Sequence, residues 1–241
     1  MTVAGVDGCR GGWMCILRNV DPPFRERAFV ARSFGEILDH PERLEVVAID
    51  IPIGLPERIA GAGRDCDVLV RSKLGKRAMA VFSVPARAAI GESDYRSACS
   101  AAFSTSDPPR QISKQMFHLF PKVREVDAAM TPLLQNRVRE CHPEAAFWAM
   151  NRCEPLAEPK KLGGRVHPPG FELRLSLLIK QGVDEGFLRD TAFKRADAGP
   201  DDFLDACACA WTAARIVRGE AIRFPDCPQR DGKGLYMEIL A

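Results

Sequence analysis

The stretch from Asp201 to Gly219, DDFLDACACAWTAARIVRG, constrains the fold more than any other. Between Phe203 and Val217 every residue except Asp205, Thr212 and Arg215 is apolar. A helix apolar all round is largely buried. Gly199-Pro200 marks its start and Gly219 its stop. Yet Asp202 and Asp205 stand three apart, one above the other on one face. A buried, ionised carboxylate without a partner is costly, and the usual solutions are pairing, neutralisation or a metal. Asp201 is expected as N-cap, with Asp202 in the first turn at the positive end of the helix dipole. Capping does not account for Asp205, a turn deeper.

Two further acids end apolar runs. TVAGV (2–6) leads into Asp7 and the glycine turn GCRGG, while EVVAI (45–49) ends at Asp50 and the breakers IPIGLP. The second run is continuous and rich in β-branched residues, as in a strand buried on both faces. WMCILRN and RAFVARS (27–33) read as strands, and Phe34 to Leu44 as a short helix. Open sheets bind ligands beyond the carboxyl ends of their strands, so Asp7 and Asp50 converge if their strands are neighbours. The plainer alternative is that each bonds its own turn. Glu144, in RECHPEAAFW, follows the candidate strand NRVREC (136–141), with His142 adjacent and Pro143 setting the turn. A helix-start glutamate near a dipole explains it equally well.

Helices are expected over RDCDVLVRSKLGKRA, SDYRSACSAAF, PGFELRLSLLIKQG and SKQMFHLFPKVREVDAAM (113–130), the last kinked or interrupted at Pro121. FSVPARAAI reads as a loop. With 241 residues the chain makes one α/β or α+β domain over 1–241, with a mixed sheet and a helical insertion at about 57–135.

No apolar run approaches the ~18–20 residues of a membrane span. The start, MTVAGVDGCRGGW, lacks a basic region followed by an apolar stretch, so a cytoplasmic protein with no membrane partner is expected. Nine scattered cysteines without a CxxC pair fit small, mostly buried hydrophobes in a reducing cytosol. Lys and Arg total 34 against 32 Asp and Glu. That balance hides asymmetry: Arg64, Arg71, Lys73, Lys76, Arg77 and Arg87 face two acids, and residues 108–124 add Arg110, Lys114, Lys122 and Arg124 with none. Arg10, Arg71, Lys73, Arg77, Arg87 and Lys114 are therefore candidates for phosphate contacts along a nucleic acid. A solvated charged face is the alternative for each.

Acids without companion Cys or His ligands suit a hard cation, Mg²⁺ or Mn²⁺. Two such ions about 4 Å apart can activate a water and stabilise the leaving oxygen of a phosphodiester. VAGVDGCRGGW, VVAIDIPIGLP and the run Asp202 to Ala208 resemble ribonuclease H-like nucleases, the late helix especially that of Holliday-junction resolvases. The whole chain resembles more closely a prokaryotic domain-of-unknown-function family, number four-two-nine. The shared stretches are GVDGCRGGW, AIDIPIGLP, RDCDVLVRSKLG, FSVPAR, SKQMFHLFPKVREVD, HPEAAF and DDFLDACACAWTA. The resemblance implies a ribonuclease H-like mixed sheet flanked by helices and a metal-dependent nuclease. It implies Asp7, Asp50 and Asp205 as the metal-binding core and Asp202 as an additional helix acid. Glu144 belongs to the narrower family's pattern. Two rivals share the fold: an ATP-binding phosphotransferase or ATPase of the actin and sugar-kinase superfamily, and a non-catalytic nucleic-acid-binding protein. The first usually needs two repeated core domains, for which the chain has no room.

Overall fold

A computed structural model of all 241 residues gives the architecture. The glycine turn is a two-residue hairpin. Strand β1 (Thr2–Cys9) and strand β2 (Gly12–Asn19) pair antiparallel from Thr2 opposite Asn19 to Cys9 opposite Gly12. Gly12, at φ +134°, takes a backbone conformation that side chains disfavour. The tight turn carries the ladder through Asp7, which lies inside β1 opposite Met14 rather than just beyond the strand.

Strand β3 (Glu26–Ala31) pairs antiparallel with β2. Strand β4 (Leu44–Ile49) lies parallel to β1, and β5 (Val138–Glu140) parallel to β4. The result is a five-stranded mixed sheet in the order β3-β2-β1-β4-β5. Between its neighbouring strands β4 and β5 run four helices: α2 (Asp65–Lys73), α3 (Arg87–Gly91), α4 (Tyr95–Ser104) and α5 (Lys114–Ala129). Helices α3 to α5, with α1 (Phe34–Leu38), cover one face over Ala4, Val6, Val47 and Ile49.

Several elements differ from expectation. Helix α1 stops at Asp39, well short of Leu44, and part of FSVPARAAI is helical as α3. Gly75, at φ +52°, ends the run after α2 and turns Gly75–Ala80 into a 3₁₀ segment. Helix α5 is unbroken through Pro121, because Phe120, Val123 and Val126 are buried against the sheet on either side of it. That burial offsets the lost backbone bond.

The opposite face carries α6 (Pro143–Met150), α7 (Pro168–Lys180) and α9 (Pro200–Arg218), with α8 (Glu185–Asp190) at its edge. Helix α9 lies directly on β1. A Cβ at Gly5 would fall inside the backbone of Ala206 and Ala210, so a glycine is what admits the helix. Gly219, at φ +69°, closes α9 as the sequence predicts. No helix is long and apolar enough to cross a membrane.

Candidate functional site

Side chains alternate across a strand, so Val3, Gly5 and Asp7 share the face that meets α9. By the same rule Asp50 continues the line of Val46 and Ala48, which pack in the same core as α9. The Asp50 amide donates to the Val6 carbonyl at 2.9 Å, extending the β1–β4 ladder by one rung and setting Asp50 beside Asp7. Helix α9 begins at this end of the sheet, which brings Asp205 and Asp202 to the pair. The N-cap is Gly199, not Asp201. Asp202 sits at the third helical position and its carboxylate accepts from the Gly199 amide at 2.8 Å, while Asp201 pairs with Lys161. Pro200 fits the first helical position because it has no amide to lose there.

The acids repel one another. Burial, then the charges of Asp50 and Asp205, holds the Asp7 carboxyl well above the usual range. Burial, then Asp205, pushes Asp50 up to about 7. Burial also raises Asp202 and Asp205. Among them stands a residue for which the sequence offered no signal. Lys160 donates from Nζ to Asp205 Oδ2. Burial disfavours its ammonium, but Asp205 and Asp7 outweigh that and keep the charge firmly in place. The other Asp205 oxygen, Oδ1, is buried with no hydrogen-bond partner.

Glu144 is differently placed. Its carboxylate is engaged by Arg174, which donates from Nη2 at 2.7 and 2.8 Å and from Nε at 3.1 Å. The same guanidinium donates to the Glu158 carbonyl, two residues before Lys160. Gly170 of α7 lets that segment pack closely, since a Cβ there would strike the Pro159 carbonyl. Glu144 thus anchors the loop that delivers Lys160. His142 caps α6, its Nδ1 accepting from the Glu144 amide at 3.2 Å, and burial lowers its pKa.

The basic block of the sequence does not form one continuous surface. Arg64 is 4% exposed and bonds Asp67 and Glu140. Arg71 donates to the carbonyls of Ala62, Val81 and Phe82 and to Ser83, and Arg87 pairs with Asp127 and Asp231. Arg77 is half-buried. Arg10, Lys73 and Lys114 are exposed. Lys122 stands 4.3 Å over the Trp13 ring and donates to the Gly12 carbonyl. Burial lowers its pKa, against the pull of Cys9, Glu125, Asp7 and Asp202.

A hard divalent cation fits this donor set in chemistry: carboxylate oxygens, one of them buried and orphaned, with an ammonium already drawn to its partner. The acids do not close around a single point, and no three His, Cys, Asp or Glu are arranged to hold a metal. For an ion to reach Asp205 Oδ2, Lys160 must release it. No curated protein and no solved structure matches the chain. A family model does, over residues 5–230, and the chain belongs to that family, described as a protein of unknown function, DUF429.

Proposed function

We propose that the protein is a metal-dependent nuclease of ribonuclease H-like type, with Asp7, Asp50 and Asp205 as the holders of Mg²⁺ or Mn²⁺. The observation that carries this reading is the gathering of three aspartates from β1, the end of β4 and α9, Asp7 and Asp205 buried and Asp50 half-buried, each with its pKa raised, one of them with an orphaned carboxylate oxygen. Sites whose carboxyl pKa values are raised in this way by burial and like charge are candidates for a functional role. The bound ions would supply an activated water and stabilise the oxygen leaving phosphorus.

The chain's own residues divide the remaining work. Asp202, tied to the Gly199 amide, offers its carboxylate from a fixed position at the start of α9. Lys160, displaced from Asp205, is placed to meet the phosphate. Lys122, held beside Gly8 and over Trp13, is a second cation within reach of the Asp7 charge. Arg10, Lys73 and Lys114 are free to meet strand phosphates.

The test is cleavage with Mn²⁺ of single-stranded, duplex, hybrid and branched substrates, beside calorimetric titration of Mn²⁺. Asp7→Asn or Asp205→Asn should abolish cleavage and weaken Mn²⁺ binding at least tenfold, with an unchanged circular dichroism spectrum. A wild-type protein that cuts none of these and gives no Mn²⁺ heat overturns the proposal. Heat on adding ATP, without cleavage, would turn the site toward phosphoryl transfer.

A further inference from the structure

Beside Asp202, at the edge of the aspartate cluster, opens a cleft of about 970 Å³. One wall is the hairpin turn that follows Asp7, at Gly8, Cys9 and Arg10, together with Asp201 and Asp202 at the start of α9. The other wall comes from α7, α8 and the loop at 191–198, and brings Phe171, Phe193 and Arg195. The two walls are stitched together by the Gly11 amide, which donates to the Asp197 carbonyl at 2.7 Å. The cleft is therefore fixed relative to Asp7 by the backbone.

The charges in the lining sort into used and unused. Lys161 pairs with Asp201, and Arg189 with Glu172 and Glu185. Arg10 and Arg195 are exposed and carry no hydrogen bond or ion pair to the protein. Phe193 leans on Phe203 at 5.6 Å between ring centroids, which fixes one ring in the wall, and Phe171 is half-buried. Flat apolar rings flanked by unpaired guanidinium groups match a nucleobase with its phosphates. A cavity of this volume is the size of a small-ligand site and matches one or two nucleotides better than a base-paired duplex.

We propose that this cleft receives an unpaired nucleotide next to the scissile phosphate, so that the substrate is single-stranded at the site of cutting. The proposal rests on the nuclease reading. Its test is fluorescence anisotropy in EDTA, with labelled 12-nucleotide single strands of DNA and RNA, the matching duplexes, and a free mononucleotide as competitor. One of the single strands should bind at least tenfold more tightly than its duplex and than the mononucleotide. Arg10→Ala with Arg195→Ala should weaken that binding roughly tenfold, and Phe193→Ala roughly fivefold or more. Calorimetric Mn²⁺ affinity should be unchanged in the arginine double variant, whose residues lie at the surface and disturb no packing. Equal affinity for duplex and single strand, a mononucleotide that binds as well as the strand, or arginine variants that bind like wild type would each overturn the proposal. Those failures leave Mn²⁺ binding intact, whereas failure of the nuclease reading shows as loss of Mn²⁺ binding and cleavage in the wild type.

Discussion

Replacing Glu144 by Met separates a positioning role from a metal-ligating one. The side chains of Glu144 and Arg174 are 4% and 1% exposed, and three hydrogen bonds join them. A guanidinium cannot shed its proton to escape burial. Glu144→Met therefore strands a charge in the core, and breaking a buried pair from one side costs about 3–5 kcal/mol. In a domain of this size that is a fall of roughly 6–20 °C in Tm, at about 2–4 °C per kcal/mol. Adding Arg174→Met removes the stranded charge. Apolar residues of similar volume often replace a buried ion pair at little cost, but the carbonyls of Glu158 and Gly170 lose their Arg174 donor, so the double variant should recover part of the loss and stay about 1–3 kcal/mol below wild type. Urea denaturation of the four proteins gives the cycle, and Mn²⁺ titration of each folded protein supplies the second readout. The double variant should keep Mn²⁺ affinity within about threefold. A Glu144→Met protein as stable as wild type but unable to bind Mn²⁺ would refute the positioning argument and make Glu144 a ligand.

Asp50→Asn should stabilise the metal-free protein in a pH-dependent way. The Asp50 carboxyl is held at about 7 in the fold by burial and Asp205, above its ordinary value near 3.8, so folding favours its protonated form. The penalty is absent below about pH 4, grows as pH rises toward about 7 and is constant beyond. Thermal melts in EDTA should show no gain for the variant at pH 4 and a gain on the order of 1–3 kcal/mol at pH 8. An equal gain at both would rule out the buried, repelled charge of Asp50 as the cause. Gly5→Ala should cost about 3 kcal/mol or more in chemical denaturation, because the new methyl meets the backbone of Ala206 and Ala210 rather than a yielding side chain. A cost under about 1 kcal/mol would mean that α9 does not rest on β1 as closely as described.

The sheet was legible because its strands advertise themselves locally. The glycine hairpin fixes β1 against β2, and the uninterrupted EVVAI run marks a strand covered on both faces. Helix α9 was legible for the opposite reason, its lack of any polar face. Given those elements, Asp7, Asp50 and Asp205 could be singled out, since each is an acid at an edge of buried structure. Lys160 could not. It lies in EPKKLGG, which reads as a solvated loop, and its role depends on Arg174 and Gly170 in another element. The basic block misled in the same way. A run of Lys and Arg looks alike whether it faces water or the interior, and only the fold shows Arg64 beneath the surface beside Glu140.

Two of the three buried arginines, Arg64 and Arg174, solve one problem. Around the acids the chain passes from regular elements into irregular backbone, whose carbonyls need donors if they are not to lie unpaired near the core. After Asp50 the chain turns through Gly54 at φ +79°, and Arg64 donates to the carbonyls of Ile53 and Gly54 while binding Asp67 and Glu140. After Glu144 the returning chain is met by Arg174, which donates to the carbonyls of Glu158 and Gly170 while binding Glu144. An apolar residue could fill either space but could satisfy none of those carbonyls, and a lysine has only three donors on a single atom. The five-donor fork of arginine does both, and the acid beside it compensates its charge. Glu140 and Glu144 thereby belong to the scaffolding of the two loops, which sets them apart from the mutually repelling aspartates.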